Sequence, residues 1–130
     1  MTAPIEDPYE FQKLLGFSIT QWSEGTATVE LQIQTKHGNR YGIPHGGIHA
    51  ALMDTAMGFA GCYTGTDEKR MAMTLALNTQ YLSRPKGQIL IAQGRKTGGG
   101  KSTFFAEAEI TDETGELIAK GTGTFRYRRS

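Results

Sequence analysis

Apolar residues fall on every second position between Ala27 and Ile33, where Ala27, Val29, Leu31 and Ile33 alternate with Thr28, Glu30, Gln32 and Gln34. That is the period of a strand with one buried face. Met71, Met73, Leu75 and Leu77 alternate in the same way with Ala72, Thr74, Ala76 and Asn78, which predicts a second strand with a single apolar face. Three further strand-like runs follow, near residues 88–97, 102–111 and 116–127, separated by glycine-bearing segments of hairpin length such as 112–115. Together they predict an antiparallel meander. One stretch has a different period: Ile48, Leu52, Thr55 and Phe59 recur at helical spacing, so a helix is expected to begin near Gly46. Asp7 followed by Pro8 reads as the N-cap and first position of a short helix ending near Gly16. Residues 35–44 are the longest irregular piece before the long helix, and no internal repeat or linker interrupts the chain.

These elements predict an α+β fold in which an antiparallel sheet curls around one long apolar helix and buries it. The 130 residues, 38% of them hydrophobic, suffice for one core, so residues 1–130 are read as one domain. A net charge of +1 gives no electrostatic case for nucleic acid, and Arg126, Arg128 and Arg129 read as a solvated strand end. The single cysteine, Cys62, excludes an intrachain disulfide and reads as a small core residue. With no charged leader and apolar core at Met1, a reducing cytoplasm is the expected compartment. The weakly charged stretch 42–66 carries Asp54 and several glycines, and is expected to lie within protein, not in a membrane.

Candidate chemistry concentrates in NRYGIPHGGIHAALMDTAMG, residues 39–58. A helix that starts at Gly46 leaves backbone N–H groups unpaired in its first turn, where the helix dipole is positive and Gly46 and Gly47 allow a substrate close approach. Such donors suit a carbonyl oxygen that gains negative charge. Asp54 follows eight residues later and is the only carboxylate between Gly42 and Thr66, with no local partner to neutralise it. The alternative is that the glycines merely open the helix and that Asp54 is an exposed helix charge. His45 and His49 stand four apart, but a zinc HExxH pattern needs Glu where Gly46 stands, so no metal is expected. His49 reads instead as a packed or capping residue. TGGGKST at 97–103 departs from the phosphate-loop pattern at Arg95 and runs into a strand, so it reads as a hairpin turn. Its Arg95, Lys96 and Lys101 would meet solvent or a phosphate-bearing ligand.

The strand pair near the N-terminus, the loop with Asn39, the HGG at 45–47, Asp54 in the helix and the closing DETGELIAKGTGTF at 112–125 together resemble hotdog-fold thioesterases. The chain is most similar to acyl-CoA thioesterases of the phenylacetic acid degradation type, related to 4-hydroxybenzoyl-CoA thioesterases. The resemblance implies that Gly46 gives its N–H to a thioester carbonyl and that Asp54 attacks that carbonyl or activates water. It implies that Asn39 orients substrate or water, although beside Gly38 it also reads as a turn residue. His45 would support the glycine loop, and Thr74 would fall where relatives place a water-binding hydroxyl. Coenzyme A would be part of the substrate, no separate cofactor would be needed, and Gly47, Arg84, Lys86, Arg95 and Lys101 are candidates to hold the substrate and its phosphates. The site would form between protomers of a homodimer, often doubled to a tetramer. Met53, Met57, Phe59, Tyr63 and Tyr81 would shape an aryl pocket or serve as core, leaving aryl-acetyl and medium-chain acyl groups both open. Two rivals remain: a noncatalytic acyl-CoA or acyl-carrier binding module, and a hotdog dehydratase or hydratase, for which no HFP-type motif is present.

Overall fold

Alternating burial makes the sheet. The computed structural model describes residues 5–129. Its elements run in the order α1 (Glu10–Leu15), β1 (Ser18–Ser23), β2 (Thr26–Gln32), a 3₁₀ turn (Thr35–His37), α2 (Gly46–Gly61), β3 (Ala72–Tyr81), β4 (Ile89–Gly99), β5 (Thr103–Asp112) and β6 (Leu117–Tyr127). The six strands form one antiparallel sheet in the order β1-β2-β4-β5-β6-β3. One row of partners, Ile19, Val29, Ala92, Ile110 and Ala119, crosses the sheet and is buried along its length. With a period of two, every residue of that row points to the same face.

Helix α2 covers that face. Leu52, Met53, Ala56 and Met57 are fully buried between helix and sheet, so Leu52→Ala would cost about 2–5 kcal/mol. The helix lies so close to β4 that a Cβ at Gly94 would stand 2.5 Å from the Ala56 carbonyl group. Any side chain there would push the helix off the sheet. Trp22 Nε1 donates to Phe59 O at 2.7 Å and Tyr127 Oη donates to Gly61 O at 2.7 Å, which pins the last turn of α2 to β1 and β6.

Two expectations need correction. The short helix begins at Glu10 with Tyr9, not Asp7, at its N-cap; Tyr9 is extended, and its N–H donates to Gln12 Oε1 at 3.4 Å. A glutamine three residues past the cap, reaching back to the cap's N–H, thus outweighs the Asp-Pro signal. The second correction concerns β3. Its partner residues on β6 shift between Thr74 and Ala76, so Leu75 is the extra residue of a bulge. A bulge inverts the alternation beyond it. Thr74 and Ala72 stand opposite the buried Phe125 and Tyr127, whereas Leu77 and Tyr81 stand opposite the buried Gly123 and Ala119, so these four share the helix side while Met73 faces away. Met71, Met73, Leu75 and Leu77 therefore do not form one apolar face; all four are exposed, Met71 just before this edge strand and the other three on it.

Candidate functional site

The segment before α2 is held from below by a buried histidine. His37 is 2% exposed; its Nδ1 accepts from Gln34 N at 2.9 Å, so in the neutral ring Nε2 carries the proton and donates to Leu15 O at 2.7 Å. Its backbone carbonyl accepts from His45 N at 2.8 Å. Asn39 then closes a tight turn: its Oδ1 accepts from Tyr41 N at 2.8 Å and Ile43 N at 3.3 Å, and its own N–H donates to Ile43 O at 2.7 Å. Its side-chain carbonyl is thereby occupied by the turn, and only the amide NH₂ is left for another partner.

His45 is the N-cap of α2, and its Nδ1 accepts from Gly47 N at 2.8 Å. A Cβ at Gly47 would lie 3.0 Å from that nitrogen, so Gly47 lets the cap close. Ile48 N donates to His45 O at 2.9 Å. With Gly47 and Ile48 satisfied, Gly46 N–H stands without a hydrogen-bond partner among the described residues. The cap thus leaves one donor, at the positive end of a 16-residue helix. Gly47, a candidate substrate contact from sequence, has its N–H engaged with the His45 ring.

Asp54 is half-buried on the flank of α2 that faces β3, where Thr74 Oγ1 donates to its Oδ1 at 2.6 Å. Thr74 faces the helix because it shares one face of β3 with Ala72, opposite the buried Phe125 and Tyr127 and ahead of the bulge. No other hydrogen bond to the Asp54 carboxylate occurs among the described residues, leaving Oδ2 open. Eight residues at 1.5 Å each put Gly46 and Asp54 about 12 Å apart along the helix axis, too far to act on one carbonyl.

The remaining candidates scatter. Arg95 pairs with Glu107, and because its neighbour Gly94 meets the helix, Arg95 projects from the opposite face of the sheet. It lies apart from Gly46 and Asp54. Lys86 reaches Glu116 at 3.3 Å, a surface pair of an exposed lysine with a partly buried glutamate that contributes little. Arg84 and Lys101 are exposed and enter no ion pair among the described residues; Arg84 follows three residues after Tyr81, and Lys101 lies in the β4–β5 turn. Of the aromatic and methionine candidates, Met53 and Met57 are core, and Phe59 and Tyr63 pack on Trp22. Only Tyr81 stands at the helix start, its hydroxyl 3.2 Å from Gly46 O. His49 is buried, and burial pushes its ring below the ordinary histidine range, so it is neutral. Cys62 is buried, its thiol pushed up to about 11 by burial. The Gly99–Thr103 segment is a hairpin turn, with Gly100 N donating to Thr103 O at 2.8 Å. Neither Tyr81 nor His37 announces its role in sequence, because each acts through a strand or loop pairing that local pattern does not encode.

Residues 41–119, more than half of the chain, match the family described as the Thioesterase superfamily. The chain belongs to that family. Among similar proteins, 1,4-dihydroxy-2-naphthoyl-CoA hydrolase of Listeria monocytogenes is 28% identical over 118 residues, covering 91% of this chain and 95% of the relative. Human acyl-coenzyme A thioesterase 13 is 27% identical over 117 residues, covering 88% and 82%. Of solved structures, a conserved protein from Pseudomonas aeruginosa superposes with a TM-score of 0.82 at 28% identity, covering 93% and 95%. The PaaI protein of the E. coli phenylacetic acid degradation operon superposes at 0.81 with 24% identity, covering 92% and 85%, a likeness of fold. The hotdog architecture expected from sequence is therefore the architecture of this thioesterase, and Gly46, Asp54 and Thr74 all fall inside the matched span. No helix among the described residues is long and apolar enough to cross a membrane.

Proposed function

We propose that this thioesterase hydrolyses an acyl-CoA thioester, with Asp54 as base or nucleophile and the Gly46 N–H as the carbonyl-polarising donor. The observation that carries the reading is the pairing, on one helix, of a first-turn N–H and a carboxylate that, among the described residues, have respectively no partner and Thr74 alone. A thioester is already activated towards acyl transfer, so one base and one preorganised donor suffice. With Asp54 as general base, its carboxylate takes a proton from water as the water oxygen attacks the carbonyl carbon. The oxyanion forms against Gly46 N–H; when it collapses the C–S bond breaks and the thiolate leaves, taking up a proton. With Asp54 as nucleophile, a mixed anhydride forms first and water then cleaves it.

The gap of about 12 Å between the two groups makes a lone chain incomplete. We place Gly46 of one protomer beside Asp54 of a second copy. The edge of β3 supports this: among the described residues its backbone pairs with no strand on one side, and it exposes Met73, Leu75 and Leu77, a combination that invites pairing with another chain. The names of the relatives favour coenzyme A as carrier, and Arg84, close in sequence to Tyr81, is the residue we assign to a CoA phosphate. Aryl-acetyl and medium-chain acyl groups are the substrates to try first.

The test is free-thiol release from a panel of aryl-CoA and aliphatic acyl-CoA thioesters, comparing wild type with Asp54→Asn. The buried Cys62, its thiol at about 11, reacts slowly with a thiol reporter and is subtracted with a substrate-free blank. Turnover by the wild type that is lost in the variant while acyl-CoA still binds supports hydrolysis. Binding without turnover by folded, oligomeric wild type would mean an acyl-binding module instead.

A further inference from the structure

Tyr81 touches the residue that carries the proposed donor, packing against Gly46 and reaching its carbonyl, which lies in the peptide just after the one that holds the Gly46 N–H. Its ring lies against Gly46, where a Cβ would sit 3.5 Å from Tyr81 Cε1 and Cζ. Its hydroxyl lies 3.2 Å from Gly46 O, to which it donates, and it accepts from Thr79 Oγ1 at 3.0 Å. Thr79 and Tyr81 share the helix side of β3 because they follow the bulge at Leu75. The neutral His49 ring packs beside the phenol, centroids 5.8 Å apart, and brings no charge to the cluster.

The His45 cap holds the Gly46–Gly47 peptide from the loop side through Gly47 N, but among the described residues it makes no hydrogen bond to the sheet. The Thr79–Tyr81–Gly46 chain supplies that contact from β3. Small displacements of an oxyanion donor are costly, because its value depends on being aimed before charge develops. Hydrogen bonds in sequence also polarise one another, so a donor on Gly46 O makes the adjoining Gly47 N–H a better partner for the His45 ring.

We infer that Tyr81 is a positioning residue for the reaction, its hydroxyl, supported by Thr79, clamping Gly46 so that the free N–H of the first helical turn is aimed at the thioester oxygen. This rests on the role proposed above for Gly46. Tyr81 does not itself touch the reacting atoms in this arrangement, so its removal weakens transition-state stabilisation without weakening binding of the CoA portion.

Tyr81→Phe keeps the ring and removes only the hydroxyl, so the fold is retained. The expected result is a fall in kcat of about tenfold, the equivalent of one lost aiming hydrogen bond, with KM unchanged and the Gly46 and Gly47 amide resonances displaced in a ¹H–¹⁵N spectrum. Thr79→Val is expected to lower kcat in the wild-type background and to have no effect in the Tyr81→Phe background, because Thr79 acts through the phenol. The inference is overturned if Tyr81→Phe keeps kcat within twofold of wild type, whether or not the amides move. It is equally overturned if the loss appears in KM, which would make Tyr81 a substrate contact. Asp54→Asn, run alongside, separates the two failures: an inactive Asp54 variant with an unimpaired Tyr81→Phe sinks only the positioning role. Unmoved Gly46 and Gly47 amides would sink that role without reference to turnover.

Discussion

Asp54 and Asp112 are the same residue type set in opposite surroundings. Asp112 is buried and accepts five hydrogen bonds, from Lys86 N, Gly87 N, Thr114 N, Thr114 Oγ1 and Glu116 N. The hydroxyl of Thr114 and these backbone donors hold its carboxyl well below the usual range, so it stays ionised and inert while it ties the β5–β6 turn to the start of β4. Its neighbour Glu113 joins in, accepting from Gln88 N and Ile89 N. Among the described residues Asp54 accepts one hydrogen bond, from Thr74, which leaves its Oδ2 open. A saturated carboxylate is part of the scaffold; an unsaturated one, placed in a thioesterase helix beside an edge strand, is available for chemistry.

Exchanging each oxygen for an amide should break the two residues in opposite ways. Asp54→Asn is expected to lower kcat by about 10²- to 10⁴-fold, the usual weight of a catalytic base, with the thermal unfolding midpoint unmoved. Steady-state kinetics and a melting curve on the same sample check both halves. For Asp112→Asn the order reverses. The unfolding midpoint falls by several degrees because an amide cannot accept from all of its backbone donors, while the folded fraction keeps its kcat. Loss of activity without loss of stability in this variant would contradict the assignment.

Acid should sharpen the contrast. Because the folded state holds Asp112 and Glu113 below their unfolded values, the unfolded chain binds more protons as pH falls. Their contribution is complete above roughly pH 5 and is lost as pH drops below about 4 through the folded values. Denaturant midpoints measured from pH 6 to pH 2 should fall steeply for wild type and less steeply for Asp112→Asn; parallel curves would refute the linkage. Thr74→Val should cost about three- to tenfold in kcat by removing the hydroxyl that donates to Asp54. The smallest effect is expected from Arg84→Ala, a severalfold rise in KM for acyl-CoA with kcat retained, since a solvent-screened contact to phosphate is weak.

Much of this was legible in the residues themselves. The long helix starts at Gly46 as its period required, β2 buries Ala27, Val29 and Leu31, and the TGGGKST stretch is a hairpin because a strand period follows it. What failed to show was long-range. The bulge in β3 depends on its register with β6, so the even spacing of Met71, Met73, Leu75 and Leu77 misled. Asn39 reads as a substrate or water contact with a turn residue as the alternative, and only the approach of Tyr41 N and Ile43 N decides what its carbonyl does. Arg95 looked available to a phosphate because sequence does not reveal Glu107 beside it on β5. Tyr81 counted as one aromatic among several, and its place at Gly46 follows from a strand that meets the helix 35 residues later in the chain.

The most direct test of a site shared between two chains is complementation. Gly46→Pro removes the free N–H and adds a ring whose Cβ would meet Tyr81 at an ordinary 3.5 Å: proline suits the first helical position, and His45 before it is already extended at φ −64° and ψ 141°. Alone, this variant and Asp54→Asn should each be inactive. Co-expressed in equal amounts, half of the dimers are mixed, and each mixed dimer contains one intact site of its two, so about one quarter of wild-type turnover should return. Co-expressed dimers that remain inactive, with mixed dimers demonstrated by differential tags, would contradict a carboxylate and an oxyanion donor supplied by different protomers.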